Sequence, residues 1–184
     1  MRTNLIIVDD FYINPDDVRT FALSQDFSVQ GNYPGLRTKS FLNESLREKL
    51  SQILRPHSGE ITQWNDSDGL TGSFELATSR ERSWVHTDHF NTWAGIVYLT
   101  PNAPLSGGTG LFEYKKTGSM VHDGTDYGDH TQDMTKWDLV DRIGNIYNRL
   151  ALYRSDIYHT SLDYFGHDKQ TGRLFQLFFL TTEY

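Results

Sequence analysis

The sequence predicts a mainly β fold, a β-sandwich or jelly roll with N-terminal helices packed on the outside of the sheet. Two helix-like segments come first, and eight short strand-like segments bounded by turn residues follow them. Aromatic residues, which suit a β-rich interior, are plentiful, with 11 Phe, 10 Tyr and 4 Trp. A chain of 184 residues fits one domain, and we expect a lead-in over 1–60, a core over 61–184 and a long polar insertion over 115–148.

The lead-in begins with a strand and a helix. Residues 5–8 are apolar and end at two aspartates, which predicts a first strand. Asn14 is then a candidate helix cap, Pro15 takes the first helical position, and acidic residues at 16 and 17 complete the first turn. A helix is therefore predicted from residue 15 onward.

A second helix is predicted from the cap Asn43 to about residue 54. Leucine and isoleucine residues between 46 and 54 recur on one face at helical spacing. Pro56 and Gly59 are predicted to end this helix, because neither residue suits a helix interior.

The core is predicted to consist of short aromatic or β-branched strands. They cover residues 61–64, 72–78, 84–88, 92–100, 110–114, 149–153, 160–164 and 173–181. Residues 115–148 interrupt this pattern, because they are polar and rich in glycine and aspartate. A connection this long is either a lid over a site or a surface excursion held in place by Trp137, and the sequence leaves both interpretations open.

Composition excludes several classes of function. The net charge is −7 and no basic cluster exceeds the pair Lys115 and Lys116, so no nucleic-acid partner is expected. The chain has no cysteine, so any metal must be held by nitrogen and oxygen ligands. Mean hydropathy is −0.55, and we find no apolar run suited to a membrane span or a secretory signal. We therefore expect a soluble, cytoplasmic protein with no membrane partner.

The segment over residues 83–89 carries the first candidate metal ligands. His86 and Asp88 are two residues apart, so on a strand their side chains point to the same face. An imidazole and a carboxylate on one face are two of the three ligands in two-His-one-carboxylate iron sites. With 7 histidines and 17 aspartates in the chain, about 0.6 such pairs arise by chance, so the motif needs support from elsewhere.

Three other residues are candidates for the same site. His159 stands at the entrance of a predicted strand and is the candidate third metal ligand. Arg173 opens the last, apolar strand, where an inward guanidinium needs an anionic partner such as a dicarboxylate cosubstrate. Alternatively, Arg173 lies at an exposed strand end and pairs with a nearby aspartate. Tyr98 is either a hydrogen-bond donor to the same carboxylate or an ordinary core tyrosine.

Two further ligand sets are alternatives. His89 is three residues from His86, but residues three apart on a strand point to opposite faces. His122, Asp126 and His130 lie in the glycine-rich insertion, where nothing fixes their geometry, and we expect them to be solvated.

An ordered set of motifs spans roughly residues 74–181. It reads HTD at 86–88, VYLT at 97–100, GGTGLF at 107–112, NRLALY at 148–153, and then His159 and Arg173. This set resembles the 2-oxoglutarate/Fe(II)-dependent dioxygenases, and within them the prolyl-4-hydroxylase-like branch. The fold that the resemblance implies is a double-stranded β-helix, a form of jelly roll.

The resemblance also implies an activity and a role for each candidate residue. It implies that His86, Asp88 and His159 bind Fe(II). It implies that Arg173 forms a salt bridge with the distal carboxylate of 2-oxoglutarate, and that Tyr98 hydrogen-bonds to the same group. The activity implied is hydroxylation of an unactivated C–H bond of a peptidyl or small-molecule substrate by O2, with 2-oxoglutarate as the cosubstrate.

The sequence departs from this pattern between His159 and Arg173, where the interval is long. Lys169 is therefore a rival for the cosubstrate anchor, although it stands in a polar segment and Arg173 heads an apolar strand. Two other functions stay open: a cupin-type metal-binding β-barrel that acts without 2-oxoglutarate, and a non-catalytic binding module.

The identity of the organic substrate is not determined by the sequence. Tyr33, Arg37, Arg80, Arg82 and the insertion over 115–148 are candidates to shape the entrance of the site. Their arginines favour an acidic or carboxylated group, but exposed arginines are common, so peptidyl proline, free amino acids and small metabolites all stay open.

Overall fold

Short antiparallel strands make up most of the regular structure. The structure is a computed structural model that describes residues 2–125 and 127–183. Over these residues the strands are β1 (Leu5–Val8), β2 (Leu36–Ser40), β3 (Glu60–Trp64), β4 (Ser73–Ala77), β5 (Trp93–Tyr98), β6 (Thr109–Tyr114), β7 (Trp137–Ile143), β8 (Leu150–Arg154), β9 (His159–Ser161) and β10 (Arg173–Glu183). The α-helices are α1 (Pro15–Ser24) and α2 (Glu44–Ser58), and short 3-10 helices occur at Leu105–Gly107, Gly128–Thr131 and Met134–Lys136.

The strands form two antiparallel sheets. The larger has the order β1-β8-β5-β10-β4-β2, and β3 pairs with the C-terminal part of β10. The smaller has the order β7-β6-β9. Strand β10 is central, because it pairs with β5 on one side and with β4 and then β3 on the other. This position explains why its first eight residues are all buried.

The two faces of β10 belong to different hydrophobic cores. Its even-numbered apolar residues between 174 and 180 pack with residues of α1 and α2. Its odd-numbered residues between 175 and 179 pack with Leu111 of β6 and Ile143 of β7. Alternation along the strand therefore places the helices outside the larger sheet, as predicted, and leaves the other face for the smaller sheet.

Helix α2 begins as predicted but ends later. The Asn43 side chain accepts a hydrogen bond from the Leu46 N–H at 3.0 Å and caps the helix. The prediction that Pro56 ends the helix is wrong, because Pro56 lies inside it and the helix continues to Ser58. Near a C-terminus a proline removes one backbone hydrogen bond without disrupting many further turns. Gly59, with φ of 78°, ends the helix.

Strand β1 and helix α1 begin at the predicted residues, with Pro15 at the first turn of α1. Asn14, however, makes no capping hydrogen bond with its side chain. No helix in the described part of the chain combines the length and the hydrophobicity that crossing a membrane requires.

Three segments differ from the strand predictions. Strand β2 was not predicted, because it is polar, and β7 lies inside the segment that was expected to be irregular. The strand predicted over 84–88 is an extended segment with a single β-bridge at His86. Trp137 is 4% exposed and donates its indole N–H to the His130 carbonyl at 2.7 Å, which supports the interpretation that it holds the insertion in place.

Candidate metal centre

His86, Asp88 and His159 converge in the structure although they are distant in the sequence. Each offers one ligand atom, and these atoms lie within 4.8 Å of one another. His159 Nε2 is 3.2 Å from Asp88 Oδ2, and the two imidazole centroids are 4.5 Å apart. Ligands about 2.1 Å from one ion lie about 3 Å apart in adjacent octahedral positions, and the 3.2 Å separation of His159 Nε2 and Asp88 Oδ2 matches this spacing. Among the described residues no other group of this kind occurs.

Backbone pairing brings the three candidate ligands together. His86 and His159 form an antiparallel bridge in which each N–H donates to the other's carbonyl, at 3.0 and 2.9 Å. The Asp88 N–H donates to the Ser155 carbonyl at 2.8 Å. Residues 86 and 88 lie in one extended segment, so their side chains point to the same side. The third ligand is therefore supplied by the strand that pairs with this segment.

The hydrogen bonds of the two imidazoles leave the same ring nitrogen available in each. His86 Nδ1 is 2.9 Å from the Trp84 carbonyl oxygen, and His159 Nδ1 is 2.8 Å from the Ile157 carbonyl oxygen. A carbonyl oxygen only accepts, so each Nδ1 carries a proton. The Nε2 atoms are then the candidate metal-binding atoms, and a metal there would replace the contact that His159 Nε2 makes with Asp88 Oδ2 in the metal-free protein.

The surroundings of His86 and Asp88 favour the protonation states of these two residues that bind a metal. Burial lowers the pKa of His86 to about 4, and the charges of His159 and Arg37 act in the same direction. Burial opposes ionisation of Asp88, but the hydrogen bond from His159 and the nearby positive charges outweigh it, so the pKa of Asp88 lies below its ordinary value. Neutral His86 and ionised Asp88 are the ligand forms that a divalent cation requires.

The triad opens onto a cavity of about 260 Å³ between the two sheets. All three ligands line it, as do Thr109 of β6, Tyr153 of β8 and several apolar residues. The apolar and aromatic part of the wall includes Leu70, Trp84, Phe90, Ile96, Phe175, Leu177 and Phe179. Such a wall provides a site from which much of the solvent is excluded.

Arg173 is fully buried at the start of β10, on the face predicted from the sequence. Its Nε donates to the Gly107 carbonyl at 2.9 Å, and its Nη2 is 3.4 Å from the Gly108 carbonyl. Its Cζ is 4.3 Å from the ring centroid of Phe175. Its Nη1 has no hydrogen-bond partner, and Arg173 belongs to no ion pair among the described residues. The exposed alternative is therefore wrong, and this guanidinium has donors free for an anion.

Tyr98 is buried beside Arg173, with the Arg173 Cζ 5.6 Å from its ring centroid. Its hydroxyl is 2.8 Å from the Thr109 hydroxyl. Burial raises the pKa of Tyr98, so the phenol stays protonated. Tyr98 and Arg173 do not line the cavity themselves but lie behind its wall. The lining residue Thr109 is hydrogen-bonded to Tyr98, and the ring centroid of the lining residue Tyr164 is 6.0 Å from Arg173 Cζ.

The rival residues are placed elsewhere. The Lys169 ammonium donates to the Gln25 carbonyl at 3.0 Å and lies over the Phe27 ring, near the end of α1. The exposed His89 ring stacks on His122 at 4.5 Å between centroids and is not part of the triad.

The alternative cluster in the insertion was expected to be solvated, and its two histidines, His122 and His130, belong to no metal-ligand group within the described ranges. His130 is exposed, and its Nδ1 is 2.7 Å from the Tyr114 hydroxyl. Asp126 lies outside the described residues.

Two of the predicted entrance residues, Tyr33 and Arg37, do line the cavity. Arg80 and Arg82 are exposed and do not. Sequence reasoning gave no role to Glu75, a buried cavity residue that forms an ion pair with Arg37 at 2.5 Å. A single acidic residue inside an otherwise apolar strand was the available signal, because such a residue requires a partner when it is buried.

The fold is shared with oxygenases of known structure. HygX from Streptomyces hygroscopicus, solved with nickel, 2-oxoglutarate and hygromycin B bound, has a TM-score of 0.64 and 11% identity, over 96% of this chain and 82% of that chain. A prolyl hydroxylase from Trichoplax adhaerens, in complex with a hypoxia inducible factor peptide fragment, has a TM-score of 0.52 and 13% identity, over 96% and 83%. A Pseudomonas putida prolyl-4-hydroxylase has a TM-score of 0.50 and 14% identity, over 97% and 92%. The predicted resemblance is thus confirmed at the level of the fold.

The chain belongs to a family of unknown function, DUF6445, whose sequence profile matches residues 1–135. That span includes His86, Asp88 and Tyr98 and ends before His159 and Arg173. No protein with a curated function matches the sequence.

Proposed function

We propose that this protein is an Fe(II)- and 2-oxoglutarate-dependent oxygenase with a double-stranded β-helix core, and that it hydroxylates a C–H bond of an organic substrate. The observation that carries the proposal is the geometry of the triad. Two imidazoles with Nδ1 bound to carbonyls and one carboxylate surround a single point at a cavity wall. Two histidines and one carboxylate are the ligands typical of non-haem Fe(II) oxygenases.

The chemistry of the donors fits the metal. Two imidazole nitrogens and one carboxylate oxygen suit Fe(II), and three ligands leave coordination positions for cosubstrate and O2. When bound, Fe(II) and 2-oxoglutarate supply the oxidation, in which O2 and 2-oxoglutarate become succinate, CO2 and the hydroxyl oxygen of the product. His86 and His159 keep fixed orientations, because their ring N–H groups are bound to the backbone of their own segments.

Arg173 is the residue that we assign to the cosubstrate. A buried guanidinium without an anionic partner is unfavourable, and its Nη1 offers two N–H donors. The distal carboxylate of 2-oxoglutarate supplies the missing charge and two acceptor oxygens. Tyr98 lies close enough to Arg173 for its hydroxyl to donate a hydrogen bond to the same carboxylate, or to Thr109 when no cosubstrate is bound.

The remaining walls of the cavity orient the substrate and exclude water. Trp84, Phe90 and Phe179 supply apolar surface beside the metal ligands. A cupin-type metalloprotein without 2-oxoglutarate would leave the buried Arg173 without an anion, so the structure favours the oxygenase over that alternative.

The test is conversion of 2-oxoglutarate to succinate by the purified protein with Fe(II) and O2, which we expect to proceed slowly even without a substrate. His86→Ala should abolish the reaction. His89→Ala is the matched control, because His89 is a neighbouring, exposed histidine outside the triad. Equal loss in both variants, or succinate formation that survives in His86→Ala, would contradict the proposal.

A binding measurement separates the metal from the cosubstrate. Ni(II) replaces Fe(II) without turnover, and we expect 2-oxoglutarate to bind the Ni(II)-loaded protein far more tightly than the metal-free protein. A metal that binds without any effect of 2-oxoglutarate would instead support a metalloprotein that acts without this cosubstrate.

A further inference from the structure

A buried ion pair lines the cavity on β4, which adjoins β10, and on β2, which adjoins β4. Arg37 of β2 and Glu75 of β4 are direct partners across the two strands, so their side chains share a face. The Nε–Oε2 distance is 2.5 Å, and the two residues are 9% and 3% exposed. Glu75 is in turn the partner of Phe175 on β10, which places the pair on the face that carries Arg173.

The Arg37 guanidinium is held rigidly. Its Nη1 donates to the Gly69 carbonyl at 2.7 Å, and its Cζ lies 3.6 Å from the centroid of the Tyr33 ring. The Tyr33 hydroxyl is itself bound to the Val29 carbonyl at 2.9 Å. A pair fixed in this way can position a ligand with little further loss of conformational entropy.

Stability alone gives little reason for this pair. Replacing a buried ion pair by apolar residues of similar volume is often neutral or stabilising, because desolvation offsets the attraction between the charges. A fixed pair in the wall of a cavity is therefore a candidate for ligand recognition.

Each partner keeps one polar atom that has no hydrogen bond among the residues that the structure describes. Arg37 uses Nε and Nη1 and leaves Nη2, and Glu75 uses Oε2 and leaves Oε1. The unpaired polar atoms that are fully enclosed do not include Arg37 Nη2 or Glu75 Oε1, so each of these two atoms keeps some accessible surface. Both residues line the cavity. Nη2 carries two N–H donors and Oε1 accepts, so two paired residues of the wall offer free donors and a free acceptor.

The charges select the type of group that fits. Arg37 and Glu75 neutralise each other, so a group with a formal charge would compete with one partner and leave the other buried and unpaired. A neutral group with an acceptor and a donor on one edge satisfies both atoms and keeps the pair intact. A primary carboxamide has this arrangement, with C=O and N–H side by side. A trans peptide bond does not, because its C=O and N–H point in opposite directions.

We propose that Arg37 and Glu75 form a subsite for a primary carboxamide of the organic substrate. The carboxamide oxygen accepts from Arg37 Nη2, and its N–H donates to Glu75 Oε1. This inference deepens the proposed function and rests on it. The carboxamide belongs either to a small molecule or to an Asn or Gln side chain in a peptide, and apolar atoms next to it contact the aromatic wall of the cavity.

The test uses the Ni(II)- and 2-oxoglutarate-loaded protein, so that binding is measured without turnover. The probes are asparagine and glutamine as free amino acids, as N-acetylated amides and within short peptides, each compared with its aspartate or glutamate counterpart. The wild-type protein should bind at least one carboxamide about tenfold or more tightly than the matching acid, because the acid disturbs a neutral pair. The probe set that binds best distinguishes a small molecule from a peptide.

The variant Glu75→Gln should reverse this preference. It leaves the charge of Arg37 unpaired, so the matching acid should now bind about tenfold or more tightly than the carboxamide. Glu60→Gln is the control, because Glu60 forms an exposed ion pair with Arg55 at 2.6 Å and should leave the preference unchanged.

Three results would overturn the inference while leaving the proposed function intact, provided that 2-oxoglutarate still binds the Ni(II)-loaded wild-type protein. They are no binding of any carboxamide, a wild-type preference for the acids, and an unchanged preference in a folded Glu75→Gln variant. The wild-type preference needs no variant, so the inference stays testable if Glu75→Gln does not fold. Absence of metal-dependent 2-oxoglutarate binding in the wild type would overturn the proposed function, and this inference with it.

Discussion

Replacing Arg173 by methionine should affect cosubstrate binding and stability very differently. Methionine has a similar length and no charge, so it removes the guanidinium and retains apolar contact with Phe175. If Arg173 serves the cosubstrate, the change removes a binding group. If Arg173 instead serves the fold, the change removes a structural interaction.

The loss of binding follows from the free donors of Arg173. Nη1 has two N–H groups and no partner within the described ranges, so it can make two charge-assisted bonds to a carboxylate. At about 1.5–3 kcal/mol each, these bonds contribute about 3–6 kcal/mol, or about two to four orders of magnitude in the Kd of 2-oxoglutarate.

The effect on stability should be small. Arg173→Met removes the hydrogen bond to Gly107, which stabilises the wild-type protein by about 1.5–3 kcal/mol. It also removes a buried charge without an ion-pair partner and an unpaired donor, which together destabilise the wild-type protein by a similar amount or more. We expect the free energy of unfolding of the metal-free protein to change by less than about 2 kcal/mol, or to rise. Arg37→Met is the control, because it leaves Glu75 buried and unpaired and should cost about 3–5 kcal/mol.

The assay combines chemical unfolding of the metal-free variants with titration of 2-oxoglutarate into the Ni(II)-loaded variants. At a cosubstrate concentration 100 times its Kd, the free energy of unfolding of the wild-type protein should rise by about 2.7 kcal/mol, and that of Arg173→Met should hardly change. Unchanged 2-oxoglutarate affinity in Arg173→Met would refute the assigned role. A loss of about 3–5 kcal/mol in the metal-free variant would show that Arg173 is mainly structural.

Three further outcomes are expected. His159→Ala should weaken Ni(II) binding more than about 100-fold in a calorimetric titration, because loss of a residue that only orients a metal ligand already weakens binding about 10–100-fold. A smaller effect would remove His159 from the ligand set. The pKa of His86 falls from 6.5 to about 4 on folding, so between these pH values the unfolded chain binds more protons than the folded one. The free energy of unfolding of the metal-free protein should therefore decrease by up to about 3 kcal/mol as the pH is lowered through this range. Unfolding curves of His86→Asn should lack this dependence, and an equal slope in both proteins would contradict the assignment. Gly108→Ala places a Cβ 1.8 Å from the Ile143 carbonyl oxygen and should destabilise the protein by about 1–3 kcal/mol or more. Gly144→Ala is the control, because its Cβ has no contact under 3.6 Å and should not destabilise the protein. Equal melting temperatures of the two variants would contradict this packing.

Much of the site could be predicted from the sequence because its signals are local. The spacing of His86 and Asp88 puts both on one side of an extended segment, and this holds although the segment is not a regular strand. The alternation along β10 predicted an inward Arg173, and burial of the residue confirms it. These features depend only on backbone geometry over a few residues.

Other predictions failed where local signals mislead. Strand β2 is polar, because one of its inward residues, Arg37, pairs with a charged partner instead of packing in an apolar core. Strand β7 is exposed over its five central residues, so only its paired edge and its buried ends hold it in the smaller sheet. Neither strand has the hydrophobic periodicity by which strands are recognised.

Local sequence was enough to specify the type of each functional group and the direction in which a strand would present it. The tertiary structure alone decided which groups meet. His159 becomes a neighbour of His86 only because their backbones form a bridge, and Glu75 meets Arg37 only because β2 pairs with β4 in that register. Pairing between distant strands is selected by the packing of the whole core, because a shift of one residue would move every side chain to the other face. That choice is a property of the complete fold and leaves no mark in any short stretch of the chain.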